Sequence, residues 1–212
     1  MSSQIHAGKR VMVVAPHPDD ETLGVGGTIA KYSAQGGEVF VLMISGHLPP
    51  LYSREDYDKT VTETHAAFEL LGVAKSAFLE IPATMIGDQP LHTLNGKISK
   101  ILNDFNPDIV FCPYPDRHVD HRLVFDSVMV ATRPVGVGRD IEVVATYETL
   151  SETHWNAPHI EPNFTPNWVV DITVQIDKKL EAVKCYKSQV SDFPAPRSIE
   201  AVEALAKFRG SQ

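Results

Sequence analysis

The sequence predicts a doubly wound α/β fold, a single domain over residues 1–212 built on a mostly parallel sheet. Three observations carry this. Short apolar runs of strand length alternate with helix-length patterns through most of the chain, the mark of βαβ units. The first four of those runs are continuously apolar, as strands buried on both faces are. Finally, 212 residues at 43% hydrophobic composition suffice for one sizeable core but not for two comfortable ones.

The elements follow in order. The first strand spans Arg10 to Ala15, and a helix from Glu21 to Gln35 is stopped by Gly36-Gly37. The second strand is Glu38 to Ser45, followed by a helix from Glu55 to Leu71 with Gly72 just past its end. Ala77 to Ile81 and Asp108 to Pro113 are the third and fourth strands, separated by a helix from Leu91 to Phe105. A helix over His121 to Thr132 leads to a fifth strand, Ile141 to Thr149. The stretch "LSETHWNAPHIEPNFTPN" is rich in Pro and Asn and reads as loop, before a short strand, Trp168 to Ile172, and a helix, Ile176 to Ser188. Repeats and low-complexity linkers are absent from the sequence.

In doubly wound sheets the first and fourth strands commonly lie side by side, and ligands bind in the crevice where their helices diverge. The chain turns abruptly polar at both of these strand exits. "VMVVAPHPDDETLG" runs from strand into His17, Asp19, Asp20 and Glu21, and "DIVFCP" ends just before "YPDRHVDHR". Carboxylates so crowded repel one another and are costly to bury unless a cation is present. Pro18 suits the first position of a helix, and such a turn can aim His17 and Asp20 at one point. The second segment offers His118, Asp120 and His121. A site of His17, Asp20 and His121 would be a two-histidine, one-carboxylate centre with a position open for water, as in catalytic rather than structural metal sites. Zinc there lowers the pKa of its water to about 7. With Asp20 on the metal, Asp19 points elsewhere and can accept the proton of the attacking water. A protonated His118 would stabilise the oxyanion or donate to the leaving nitrogen, and Asp120 would bond its second ring nitrogen. Taken singly, the acidic run is ordinary helix capping and "HVDH" a solvated loop. Their coincidence at the two central strand ends favours a metal.

Other features set bounds. A net charge of -8 and a pI near 5.5 argue against a nucleic-acid surface and fit a small neutral or cationic substrate. "MSSQIHAGKR" lacks a signal-peptide core, and no run approaches the ~20 apolar residues that span a bilayer, so the expectation is a cytoplasmic protein with no membrane segment. Cys112 and Cys185 form neither a CxxC pair nor a disulfide framework and are expected to be ordinary buried thiols. Gly24, Gly26 and Gly27 suggest a dinucleotide loop, but Ile29 stands where the third glycine is wanted. Asn163-Phe164-Thr165 is a chance sequon. His47, Tyr114 and Asp116 follow strand ends near the crevice, and His154 with Trp155 could line a substrate pocket; all are candidate substrate contacts.

"APHPDDETLGVGG" together with "PDRHVDHR" resembles the PIG-L/LmbE-like family of metal-dependent N-acetylglucosaminyl deacetylases, and "LLGV", "NPDIVFCPYPD" and "DKKLEAVKCYKSQ" extend the resemblance over nearly the whole chain. The resemblance implies a Rossmann-like three-layer fold and removal of acetyl from an N-acetylated amino sugar or glycoside. It places the Zn2+ ligands on His17, Asp20 and His121, with another divalent metal such as Fe2+ an alternative. It places the general base on Asp19, the transition-state histidine on His118 and that histidine's supporting carboxylate on Asp120. Homo-oligomer formation is left open. Two departures stand out. Where many members carry a substrate-contacting Arg one turn before the Glu matching Glu63, this chain has Thr60, with Lys59 or Arg54 as substitutes. It also stops at "KFRGSQ" where relatives usually continue, as a short or truncated variant would. An Fe(II) oxygenase draws on the same ligand set, and a metal-stabilised binding module needs no catalytic groups; Asp19 counts against the first, and Asp19 with His118 against the second.

Overall fold

The structure, a computed structural model, describes residues 8–155, 157, 159 and 162–212. Five strands, β1 (Arg10–Ala15), β2 (Glu38–Gly46), β3 (Lys75–Pro82), β4 (Ile109–Pro113) and β5 (Val143–Tyr147), form one sheet in the order β3-β2-β1-β4-β5. Every pairing is parallel. The first and fourth strands are neighbours: Val11, Met12 and Val13 lie opposite Ile109, Val110 and Phe111.

The described residues form six α-helices, α1 (Asp20–Ala34), α2 (Arg54–Leu71), α3 (Leu91–Phe105), α4 (Val119–Ala131), α5 (Ile176–Cys185) and α6 (Ile199–Gly210). The first five contribute to the cores against the sheet, and α6 packs through Val202 on Val183 of α5 and Leu23 of α1. Alternate residues of β1 feed two cores. Val11, Val13 and Ala15 pack with Ile29, Phe68, Leu71 and Ala182 from α1, α2 and α5, while Met12 and Val14 pack with Leu94, Ile98, Leu102 and Val124 from α3 and α4. Burial on both faces is why these strands read as unbroken apolar runs. Local signals fix the helix ends. Ser53 and Asp56 form a capping box at the start of α2, and Gly72 ends it at φ 76°.

The glycines of α1 serve close packing. A Cβ at Gly24 would stand 2.3 Å from Tyr147 Cδ2, and one at Gly27 2.5 Å from Ile172 Cδ1. Beside them α1 leaves helical geometry at Val25, and the nearby Leu23 carbonyl accepts a 2.7 Å hydrogen bond from Lys179 Nζ of α5. Burial of that ammonium lowers its pKa to about 8.

Three expectations are corrected, and one helix lies outside the expected set. Residues 168–172 form no strand, because their apolar side chains cover the sheet instead of pairing with it: Trp168 stacks on Phe111 at 5.9 Å and Ile172 abuts Gly27. Helix α5 stops at Cys185, where the Tyr186 N–H turns back to Val183 O and Ser188 is held by Glu63 of α2 through Oγ at 2.5 Å. Cys112 is buried as expected, but Cys185 is only half-buried. Helix α6 has no counterpart among the elements expected from sequence, although Ser198, which accepts from Ala201 N–H, supplies an ordinary N-cap for it. Among the described residues no helix is long and apolar enough to cross a membrane.

Candidate active site

Both polar clusters lie beyond the C-terminal ends of β1 and β4, where the chain enters α1 and α4. The Pro16 carbonyl accepts from Ser45 N at 2.9 Å and Ser45 Oγ at 2.8 Å, which ties the β1 exit to β2. Asp19, the N-cap of α1, sits at φ 112° and turns the chain so that successive carboxylates diverge. On the opposite side His118 caps α4, its Nδ1 accepting from the Asp120 N–H at 3.2 Å.

Three imidazoles meet between these helix starts. The ring centroids of His17 and His118 are 4.5 Å apart and those of His118 and His121 5.0 Å, and the ring atoms able to ligate a metal lie within 4.8 Å of one another. His17 and His121 are each set by a carboxylate. His121 Nδ1 lies 3.0 Å from Asp116 Oδ2, an oxygen that also accepts from Thr153 Oγ1 at 2.8 Å. His17 Nε2 lies 2.9 Å from Asp120 Oδ2, which also accepts from the Thr84 N–H at 2.7 Å. A carboxylate only accepts, so these nitrogens are the donors. The remaining nitrogens, His17 Nδ1 and His121 Nε2, lie 3.1 and 3.3 Å from the same atom, Asp20 Oδ2. His118 is different: with Nδ1 accepting, the proton of its neutral ring is on Nε2, and that atom is a donor.

Burial is nearly complete. Asp20, Asp120 and His121 are 0% exposed, and Asp20 Oδ1, Asp120 Oδ1 and His121 Nε2 have no hydrogen-bond partner. Burial alone would lower the pKa of His17 and His121, but Asp120 and Asp20 raise the first to about 9, and Asp20 and Asp116 raise the second to about 10. Burial likewise pushes Asp20 upward, and His121 and His17 overcome it, holding the carboxyl well below its ordinary range. The buried carboxylates thus favour positive charge at this point, which a divalent cation would supply. Two ring nitrogens face one carboxylate oxygen, and of the two His121 Nε2 has no hydrogen-bond partner among the described residues. Together with the partnerless Asp20 Oδ1 and the carboxylate-backed histidines, they fit a divalent ion. Burial drives the Asp19 carboxyl well above its usual range, with Arg197 opposing and Asp20 and Glu21 adding to it. His118 is held below its ordinary value by burial first and by His17 and His121 next.

The structure brings His17, Asp19, Asp20, His118, Asp120 and His121 to one place and changes two expected contacts. The Asp120 carboxylate bonds His17 rather than His118, and the His118 ring instead accepts from the Asp120 backbone N–H. Asp116, expected as a substrate contact, is 5% exposed and bonds His121 and the His118 N–H. Other candidates are engaged elsewhere. Arg54 pairs with Asp58 at 3.1 Å and Glu80 at 3.6 Å over the Tyr57 ring, and Thr60 is buried with its hydroxyl on Tyr57 O. Tyr114 donates to Pro162 O and packs edge-on against Phe164, and His154 lies 3.5 Å from Glu148. His47 stacks on Tyr52 at 4.3 Å near the cluster; burial first, then the charge of His17, lowers its pKa. Glu63 is tied to Ser188, away from the histidines. Thr84, Glu152, Thr153 and Arg197 escaped sequence reasoning. Arg197 donates to Asp19 Oδ2 at 2.9 Å, and its only sequence signal is a lone basic residue between Pro196 and the Ser198 cap.

A model of the PIG-L family, described as GlcNAc-PI de-N-acetylase, matches residues 12–132. The chain is 28% identical over 204 residues to diacetylchitobiose deacetylase of Thermococcus kodakarensis, covering 85% of this chain and 70% of that protein. It is 25% identical over 246 residues to 1D-myo-inositol 2-acetamido-2-deoxy-alpha-D-glucopyranoside deacetylase of Rhodococcus jostii, covering 88% and 84%. A crystal structure of a conserved protein from Thermus thermophilus superposes with a TM-score of 0.78 at 28% identity, over 96% of this chain and 89% of that one.

Proposed function

Because the chain belongs to the PIG-L family, we propose that it is a metal-dependent N-deacetylase that hydrolyses the acetamide of an amino sugar or related N-acylated small molecule, releasing acetate. The whole chain serves as one catalytic domain. The observation that carries this reading is the convergence of His17 Nδ1 and His121 Nε2 on Asp20, with each ring backed by its own carboxylate, beside an Asp19 whose carboxylate is bonded by Arg197 instead.

In this assignment His17, Asp20 and His121 hold the ion, and two imidazoles with one carboxylate suit Zn2+. Bound there, the ion supplies Lewis acidity: it polarises the amide carbonyl and makes water a stronger acid. Asp19 takes the proton of the attacking water and returns it to the departing nitrogen, a role favoured by its upward-shifted pKa. His118, neutral with its proton on Nε2, donates to the carbonyl oxygen as it gains negative charge. This differs from the imidazolium expected from sequence and rests on the Nδ1 atom, which accepts from the Asp120 N–H as the α4 cap. Asp120 and Asp116 act through His17 and His121, fixing tautomer and aim.

The test is acetate and primary-amine release by zinc-loaded protein from a panel of N-acetylglucosamine, N,N'-diacetylchitobiose and N-acetylglucosaminyl glycosides. Silence across the whole panel rejects the function. Asp19→Asn should keep its metal and lose about 10²-fold or more in kcat. Joint loss of metal and activity would show that the roles of Asp19 and Asp20 are exchanged.

A further inference from the structure

Asp19 is 3% exposed, and its nearest carboxylate neighbours along the chain, Asp20 and Glu21, are both fully buried. Its side chain makes no capping bond to α1, and its φ of 112° is one that L residues rarely adopt. Glu21 is anchored separately, accepting from Tyr186 Oη at 2.5 Å and Thr22 Oγ1 at 2.6 Å. Repulsion from two neighbouring carboxylates and an unfavourable backbone leave the Asp19 side chain in need of a tether.

Among the described residues the Asp19 carboxylate accepts one hydrogen bond, from Arg197 Nη1 at 2.9 Å to Oδ2. The same guanidinium donates from Nη2 to Glu152 Oε1 at 2.6 Å and from Nε to Ser151 Oγ at 3.2 Å. Ser151, itself at φ 83°, donates its hydroxyl to the other oxygen of Glu152. All three nitrogens of the planar fork are therefore committed, in directions that a lysine ammonium cannot reproduce. The backbone beside it is fixed as well, because Ser198 is fully buried and caps α6.

We propose that Arg197 is a positioning residue for the deacetylation: it seats Asp19 through Oδ2 and leaves Oδ1 to take the proton of water, while Ser151 and Glu152 hold the guanidinium in register. The proposal rests on the reading of Asp19 as the base. The bland alternative is an ion pair that merely staples the segment before α6 to the sheet. That alternative predicts lost stability without a specific loss in kcat.

Arg197→Lys keeps the charge and removes the fork. With the best substrate of the panel, its kcat should fall about 10- to 100-fold, the scale expected when a reacting group is misplaced by about 1 Å. KM should stay within twofold, and zinc content and melting midpoint should match the wild type. Arg197→Ala, which leaves space for the ion, should recover at least part of its kcat in millimolar guanidinium. In the Asp19→Asn background, Arg197→Lys should cost nothing further, because a residue that acts through Asp19 has nothing left to position. Wild-type kcat in Arg197→Lys overturns the proposal. So does a double variant slower than Asp19→Asn by the full single-variant factor, or a loss of kcat that simply follows a lowered melting midpoint. Wild-type kcat in Asp19→Asn instead refutes the base assignment itself.

Discussion

Asp120→Asn separates two arrangements of this site. Asp120 Oδ2 receives both the His17 ring and the Thr84 N–H, at 2.9 and 2.7 Å, and an asparagine carbonyl in that place can still accept both. What disappears is the negative charge behind His17, and what is added is an amide N–H₂ where Asp120 Oδ1 now has no partner. Carboxylates that back a ligating histidine typically contribute 10- to 100-fold in metal affinity, or about 1.4 to 2.7 kcal/mol. Titration of the apo-protein with zinc against a chromophoric chelator should therefore show weaker binding by that factor. At saturating zinc, kcat should recover to within a few fold of wild type, since His118 keeps its own cap. An unchanged zinc affinity with a kcat depressed at saturation would refute this reasoning and return Asp120 to His118.

Three further outcomes follow from the same geometry. His118→Asn should preserve the α4 cap, which His118→Ala loses at about 1 kcal/mol, yet both should lose 10²- to 10³-fold in kcat with KM little changed; stopped assays and thermal melts on the two variants test this, and wild-type kcat in either demotes His118. In chelator-treated protein, His17 and His121 titrate near 9 and 10 rather than at the unfolded value of about 6.5. Their stabilisation is complete below that unfolded value and lost as pH rises through the folded values, so the melting midpoint should fall between pH 7 and 10, and a flat profile would contradict the carboxylate pairing. Gly24→Ala drives a methyl group into Tyr147, whose hydroxyl donates to Val14 O at 2.9 Å, and should destabilise by about 1 to 3 kcal/mol in a denaturant titration; an unchanged midpoint would mean that α1 and β5 separate freely.

The parts of this molecule visible in its sequence are those whose physics is local. His17 and Asp20 lie within one turn of each other and His118 and His121 within another, and both pairs follow apolar runs whose burial on two faces leaves them no place but the centre of the sheet. The remaining contacts depend on where irregular chain happens to pass. Thr84 contributes a backbone N–H, which no side-chain pattern advertises. Thr153, Glu152 and Arg197 come from segments outside the strands and α-helices and meet the site through long-range contacts. The direction of the Asp120 side chain is a matter of rotamer, and spacing alone favours neither His17 nor His118. Residues 168–172 carry the apolar character of a strand, yet they use it to cover Phe111 and α1.

The distance along the chain between Asp19 and Arg197 also has a meaning in time. The last strand ends at Tyr147, when both histidine segments have already been made, and Arg197 lies 197 − 147 = 50 residues farther on. At about 5 to 20 residues per second, it leaves the ribosome roughly 3 to 10 seconds later. During that interval the growing chain holds the side chains proposed to gather an ion but lacks the one proposed to seat the base. A message cut short between the codons for Tyr147 and Arg197 would yield a chain that carries His17, Asp20 and His121 but lacks both the guanidinium that bonds Asp19 and Val202 of α6, which packs on Leu23 and Val183.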